Sequence, residues 1–268
     1  MNTKAPEPNG TQSDKIVANQ ARETGRDFLH LVRKNLRWII FAVAVIGFIA
    51  IFEDVAQGQI MRIDALAYTF AVAYLRNDTL TPIMESISNI ASVTSLLVLL
   101  LVMVAFAPGR RPGICACLNL GLVLVINQLI KHLVARPRPD GFRLVAESGY
   151  SFPSAHSMVA MAFFGLMVWM IWHYGRSRSI RWIGTIGFSL VIVLIGFSRV
   201  YLGVHYASDV IAGFCISLAW LAVFTRTIAP LLLAERGDEG AEGAQVEAGA
   251  LASGGKYAHD KGTSAAAR

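Results

Sequence analysis

The chain has 268 residues, 54% of them hydrophobic and 16% charged, with a formal net charge of +6. An average soluble domain carries about 25% charged residues, and the mean hydropathy here is +0.51, so a disordered chain, a coiled coil and an ordinary soluble enzyme are excluded. The basic balance does not point to nucleic acid, because Lys and Arg gather at the ends of apolar blocks, where membrane topology places them.

Residues 1–30 are polar, with Pro6, Pro8, Gly10 and charges of both signs, and predict a mobile tail. Apolar runs follow at 38–52, 90–107, 113–130, 157–172, 182–197 and 207–224. Each falls short of the roughly 20 residues that a spanning helix needs, so each helix must take in a few semi-polar flanking residues. Six such runs are hard to bury in one soluble core. The expectation is an all-α integral membrane protein with six transmembrane helices occupying residues 31–230. The first run follows a polar stretch too long for an ordinary signal n-region, and no small-residue cleavage site comes after it, so it reads as an uncleaved first span. Residues 64–75 are largely apolar but too few to span, which predicts an interfacial helix along the membrane surface. Residues 231–268 are rich in Gly, Ala, Ser and Glu and predict a second disordered tail.

Positive charges set the orientation. Arg33, Lys34 and Arg37 precede the first span, Arg110 and Arg111 follow the second, Arg176, Arg178 and Arg181 follow the fourth, and Arg226 follows the sixth. With six spans these fall on one side, which is expected to be cytoplasmic together with both tails. Lys131, Arg136, Arg138, Arg143 and Arg199 fall on the outer side, against the rule, and charges that break a rule invite a functional explanation. Cys115, Cys117 and Cys215 lie inside apolar runs, so neither a disulfide framework nor a metal site is expected of them.

Three short stretches on that outer side carry chemistry. The first runs from Lys131 to Arg138 and Pro139 at the exit of span three. The second is Pro153, Ser154, Ala155 and His156 at the start of span four. The third is Ser198, Arg199, His205 and Asp209 between spans five and six. Lys131, Arg138 and Arg199 are three fixed cations that match a phosphoryl group and its transition state, with Arg offering a planar fork and Lys a point charge. Ser154 sits where a helix starts, and the free N–H groups there favour an anion.

His205 and Asp209 are four apart and share a face if the last helix starts by His205. Asp209 can then fix one ring nitrogen and leave the other free to attack. His156 can give a proton to the departing oxygen and then activate water. No Asp/Glu cluster or metal-ligand spacing accompanies these residues, so no metal or other cofactor is expected. Taken singly, the same residues have plainer uses. Basic residues at span ends anchor at the interface, Ser-x-His after Pro is a helix cap, and Arg136 and Arg143 are left with that plain reading. Asn127 and Gln128, inside span three, are expected to hydrogen-bond between helices.

The three stretches resemble the signature of the type 2 phosphatidic acid phosphatases, or lipid phosphate phosphatases, in their bacterial membrane branch: K-x6-R-P, then P-S-G-H, then S-R-x5-H-x3-D. Lys131, Arg138 and Pro139 match the first, Pro153, Ser154 and His156 the second, and Ser198, Arg199, His205 and Asp209 the third. Ala155 stands where the family has Gly, which narrows backbone freedom but removes no reactive group.

The resemblance covers about residues 35–228. It implies six transmembrane helices, a site at the outer membrane surface, a phosphohistidine on His205 with His156 as acid then base, and phosphate held by Lys131, Arg138, Arg199 and Ser154. It also implies activity without a metal. Soluble vanadium haloperoxidases share the signature, and the apolar spans argue against them. The expected substrate is a lipid phosphate or polyprenyl diphosphate. Undecaprenyl diphosphate is placed ahead of phosphatidylglycerol phosphate and phosphatidic acid. The rivals are a lipid-to-lipid phosphotransferase using the same phosphohistidine, a non-catalytic lipid-binding protein, and a transporter, for which matching halves with broken helices are missing.

Overall fold

Helix α1 (Gln12–Ala56) opens the computed structural model, which describes residues 12–106, 111–140, 143–175 and 177–233. Eight α-helices follow one another among these residues. After α1 come α2 (Arg62–Tyr68), which runs on into a π-helical turn (Thr69–Tyr74), α3 (Leu80–Asn89), α4 (Val93–Phe106), α5 (Arg111–Val134), α6 (Ala155–Tyr174), α7 (Arg178–Tyr201) and α8 (Ala207–Leu233).

Among the described residues, five helices are long and apolar enough to cross a membrane: residues 34–56 of α1, and α5, α6, α7 and α8. The second expected span is different. Helix α4 has 14 residues, about 21 Å at 1.5 Å per residue, too little for a hydrocarbon layer of about 30 Å. It becomes a span only with α3, from which it is bent by 53°. The break falls at residues 90–92, where the Ser92 hydroxyl accepts from the Ser95 N–H (3.3 Å) and restarts the helix.

The expected N-terminal tail also changes. Residues 12–30 are helical, the stretch having no Pro. Extending a helix that span one has already nucleated adds a hydrogen bond per residue without a new nucleation cost. Residues 1–11, and the second expected tail from residue 234 onward, lie outside the described residues, as do Arg110 and Arg176.

Helix α6 is the centre of the bundle and packs on α5, α7 and α8, while α1 lies along α8. Its Met158, Ala160, Ala162 and Leu166 are buried with Val123 of α5, Ile195 of α7 and Phe224 of α8. Large apolar side chains on the outer faces stay exposed, among them Ile46, Leu101, Val125, Ile183 and Val193, as a lipid-facing surface requires. Inside, Asn119 donates to the Ala162 carbonyl (2.8 Å) and accepts from Trp220 Nε1 (2.9 Å). Asn127 donates to the Pro153 carbonyl (3.1 Å), in the loop before α6, and lies 3.1 Å from Met158 Sδ of α6, the interhelical role expected of it. Gln128 points to the exposed face of α5.

The helix expected over 64–75 forms as α2 and its π-helical extension. It is fastened to the bundle: Arg76 donates to the Tyr201 carbonyl (2.7 Å), and the Asn77 N–H donates to the Tyr201 hydroxyl (3.1 Å).

Candidate active site

The C-terminal ends of α5 and α7 and the N-terminal ends of α6 and α8 meet at one end of the bundle. Helix α5 stops because Ala135 takes a left-handed conformation (φ 50°), its N–H donating to the Lys131 carbonyl (2.9 Å). The chain then turns inward with Arg136 and Arg138, both buried. Helix α7 ends at Tyr201, and Gly203 (φ 73°) makes the turn that only glycine takes freely. His205 follows, buried, two residues before α8 begins.

Ser154 caps α6: its hydroxyl accepts from Ser157 Oγ (3.0 Å) and, at 3.5 Å, from the Ser157 N–H. Its own N–H donates to the Asp209 carbonyl (3.1 Å), which joins the second and third sequence stretches directly. Gly213 allows this approach, since a Cβ there would stand 3.1 Å from the Ser154 carbonyl oxygen.

His205 and Asp209 face each other as their spacing suggests, with Nδ1 3.5 Å from Asp209 Oδ2. Nε2 looks the other way and lies 3.4 Å from Arg138 Nη1. Burial pushes the His205 imidazole down to about 4, against Asp209, which favours the proton. The ring is therefore neutral near pH 7, with a lone pair available.

The Asp209 carboxylate is held by two hydrogen bonds. Oδ2 accepts from the Tyr206 N–H (2.9 Å), and Oδ1 accepts from Arg136 Nη1 (2.6 Å). Arg136 also donates to Ser208 Oγ (2.8 Å) and, through Nη2, to Asp64 of α2 (3.1 Å). Asp64 accepts from the Ser208 N–H and Oγ, each at 2.8 Å, and the Arg136 guanidinium lies 4.0 Å from the centre of the Tyr206 ring. The plain interfacial reading of Arg136 is thus corrected: it is a buried cation between two buried carboxylates.

The three cations assigned to phosphate come together, but two are already engaged. Arg138 donates to the carbonyls of Gly149 (3.0 Å), Ser148 (2.9 Å) and Val204 (3.1 Å). Arg199 donates to Ser88 Oγ (2.6 Å) and forms a short ion pair with Glu147. The second oxygen of Glu147 is 3.6 Å from Arg138. Burial opposes ionisation of Glu147, yet Arg199 and Arg138 outweigh it and hold the carboxyl below its ordinary range.

Glu147 thus sits where an anion would bridge the two guanidiniums. Arg199 Nε is buried without a hydrogen-bond partner among the described residues, a spare donor at the same place. Lys131 lies on the last turn of α5, within electrostatic reach of Arg138, Glu147, Asp209 and Arg199. His156, half-buried at the start of α6, is within reach of Arg199, Glu147, His205 and Lys131.

Some residues stay structural. Ser198 donates to the Ile195 carbonyl (2.7 Å) within its own helix. The buried Pro139 gives its carbonyl to Arg143 Nε (2.9 Å), so Arg143 braces the loop. Ala155 begins α6. Arg136, Asp64 and Glu147 are the participants that sequence reasoning passed over. Only the rule-breaking outer-side charge of Arg136 offered a signal.

The chain is similar to known proteins over this same region. The PAP2 superfamily model matches residues 112–231. Phosphatidylglycerophosphatase B of Bacillus subtilis is 32% identical over 156 residues, which is 57% of this chain and 77% of that protein. Undecaprenyl-diphosphatase of Sulfolobus acidocaldarius is 28% identical over 134 residues, 47% of this chain and 61% of that protein. The crystal structure of a transmembrane PAP2-type phosphatidylglycerolphosphate phosphatase from Bacillus subtilis superposes with a TM-score of 0.62 at 27% identity, covering 76% of this chain and 99% of that one.

Proposed function

The chain belongs to the PAP2 superfamily and is a membrane phosphatase by its similarity to the transmembrane phosphatases of that family and by its apolar spans, and from this premise we propose that it removes the terminal phosphate of a membrane lipid through His205. The orientation of the His205 ring carries the reading. Nδ1 faces Asp209, and a neutral Nε2 faces Arg138, one of the cations that would hold phosphate.

In the first step Nε2 attacks phosphorus. The bond from phosphorus to the lipid oxygen breaks, and His156 gives that oxygen its proton. Lys131, Arg138 and Arg199 stabilise the charge building on the phosphoryl oxygens. Ser154 and the N-terminus of α6 add neutral donors. In the second step His156 takes a proton from water, the water oxygen attacks phosphorus, and the P–N bond breaks to release inorganic phosphate and free His205. Phosphate reaches Arg199 by displacing Glu147.

The similarity to phosphatidylglycerophosphatase B over 77% of its length supports phosphatidylglycerol phosphate as the first substrate to offer. That moves it ahead of undecaprenyl diphosphate in the order expected from sequence. The head group would stand among the cations at the membrane surface with its tail in lipid. That face is the outer one, with both termini cytoplasmic, if the basic ends formed by Lys34, Arg37, Arg111, Arg178 and Arg226 obey the charge rule.

The test is phosphate release by the purified protein from phosphatidylglycerol phosphate, undecaprenyl diphosphate and phosphatidic acid, with excess chelator, beside His205→Ala. Release that survives the chelator and vanishes in the variant supports the reading. Equal release by both proteins overturns it. Release that occurs only with an added acceptor lipid identifies the phosphotransferase.

A further inference from the structure

At the end of the bundle opposite His205, α1 and α8 enclose a cavity of about 410 Å³ lined by Lys34, Arg37, Trp38, Phe41, Val223 and Arg226. Lys34, Arg37, Trp38 and Phe41 are spaced i, i+3, i+4 and i+7, so they share one face of α1. Arg226 reaches the same space from α8, nearly two hundred residues later. All three cations are exposed, and none makes a hydrogen bond or ion pair with another described residue. Trp38 lies edge-on to Phe41 at 6.0 Å and gives the cavity an apolar wall.

A cation that serves only as an interfacial anchor needs no counterpart on a second helix. Here three like charges converge on one concave site, where their mutual repulsion calls for an anion. The anion must also suit an aromatic wall at the level of a membrane surface. A phosphate carried on a glycerolipid meets both conditions, and basic pockets between membrane helices bind such head groups.

We propose that this cavity holds the head group of an anionic glycerophospholipid from the leaflet opposite the catalytic face. Lys34, Arg37 and Arg226 take the phosphate, and Trp38, Phe41 and Val223 take the start of the acyl chains. The site is separate from the phosphatase chemistry, and its occupant would clamp α1 to α8.

Trp38 supplies a probe independent of turnover. The full chain is placed in phosphatidylcholine vesicles in which a minor share of the lipid is brominated on its acyl chains, either phosphatidylglycerol or phosphatidylcholine. The Trp38 signal is taken as the difference between the wild type and Trp38→Phe. Brominated phosphatidylglycerol should quench that signal at a membrane fraction roughly ten-fold lower than brominated phosphatidylcholine, and R37Q/R226Q should abolish most of the preference, at roughly a several-fold loss per cation.

R26Q/R178Q, which removes the same charge outside the cavity, should keep the preference. Equal quenching by the two lipids overturns the proposal, as does equal loss of preference in both double variants. Reversal of the quenching by inorganic phosphate also overturns it, since the occupant would then be a soluble anion.

Discussion

Replacing Glu147 by Gln should tighten binding of phosphate-like anions. Gln keeps the size and one carbonyl oxygen of Glu147 but removes the charge that pairs with Arg199 and lies 3.6 Å from Arg138. A charge-assisted hydrogen bond contributes about 1.5–3 kcal/mol. The Glu147 side chain is 28% exposed, so solvent screening lowers the value to the bottom of that range and below it, about 1–2 kcal/mol. An incoming anion must break this pair to reach Arg199, and at 1.4 kcal/mol per factor of ten the variant should bind roughly 5–30-fold more tightly.

Orthovanadate, which takes up the geometry of the phosphoryl transition state, is the suitable ligand. Its inhibition constant is read against one lipid substrate, with product inhibition by inorganic phosphate as a second reading. Both constants should fall in Glu147→Gln, with KM falling and kcat little changed. An unchanged or weaker vanadate constant would refute the reasoning, because Glu147 would then not occupy the anion's place.

The acid limb of the kcat/KM profile should lie near the His205 value of about 4, well below the roughly 6.5 of a free imidazole. In the proposed mechanism neutral His205 attacks, so the rate falls as pH drops through that value. The profile is read after dividing out the ionisation of the substrate phosphate, and an acid limb at an ordinary imidazole value would contradict the buried, neutral ring.

Arg136→Ala leaves Asp64 and Asp209 buried without their cation, which costs about 3–5 kcal/mol. Thermal unfolding should show a large loss, Asp64→Asn a smaller one, and both should lower kcat by releasing Asp209. Wild-type stability in Arg136→Ala would remove Arg136 from the network. Excess chelator should leave the rate unchanged, and restoration of a lost rate by one divalent ion would contradict the metal-free mechanism.

The proposed reactive groups were legible because phosphoryl transfer restricts residue type and spacing. Lys131, Arg138, Arg199, His156, His205 and Asp209 could be picked out, and the alternating direction of the spans placed them at one end, where the structure gathers them. Their supports were not legible. Glu147 pairs with Arg199 across 52 residues, and Asp64 meets Arg136 and Ser208 from a surface helix 72 and 144 residues away.

Asp64 read as the polar start of an interfacial helix, and nothing local distinguishes it from a helix cap. The break between α3 and α4 was also hidden. Residues 90–107 are apolar throughout apart from a few Ser and Thr, and hydropathy does not register a restart at Ser92. The helical course of residues 12–30 is not legible in their polarity, because it depends on continuity with the span that follows.

The central claim is a phosphate covalently held on His205, and it is tested most directly by trapping it. Wild-type protein and His156→Ala are mixed with a diphosphate lipid, whose good leaving group lessens the need for the acid. Each reaction is quenched in alkali, where a phosphohistidine survives, and the peptide containing His205 is weighed by mass spectrometry. The account expects one phosphoryl group on that peptide, accumulating further in His156→Ala because hydrolysis has lost its base, and none in His205→Ala. A phosphoryl group on another residue, or turnover by His205→Ala, would contradict it.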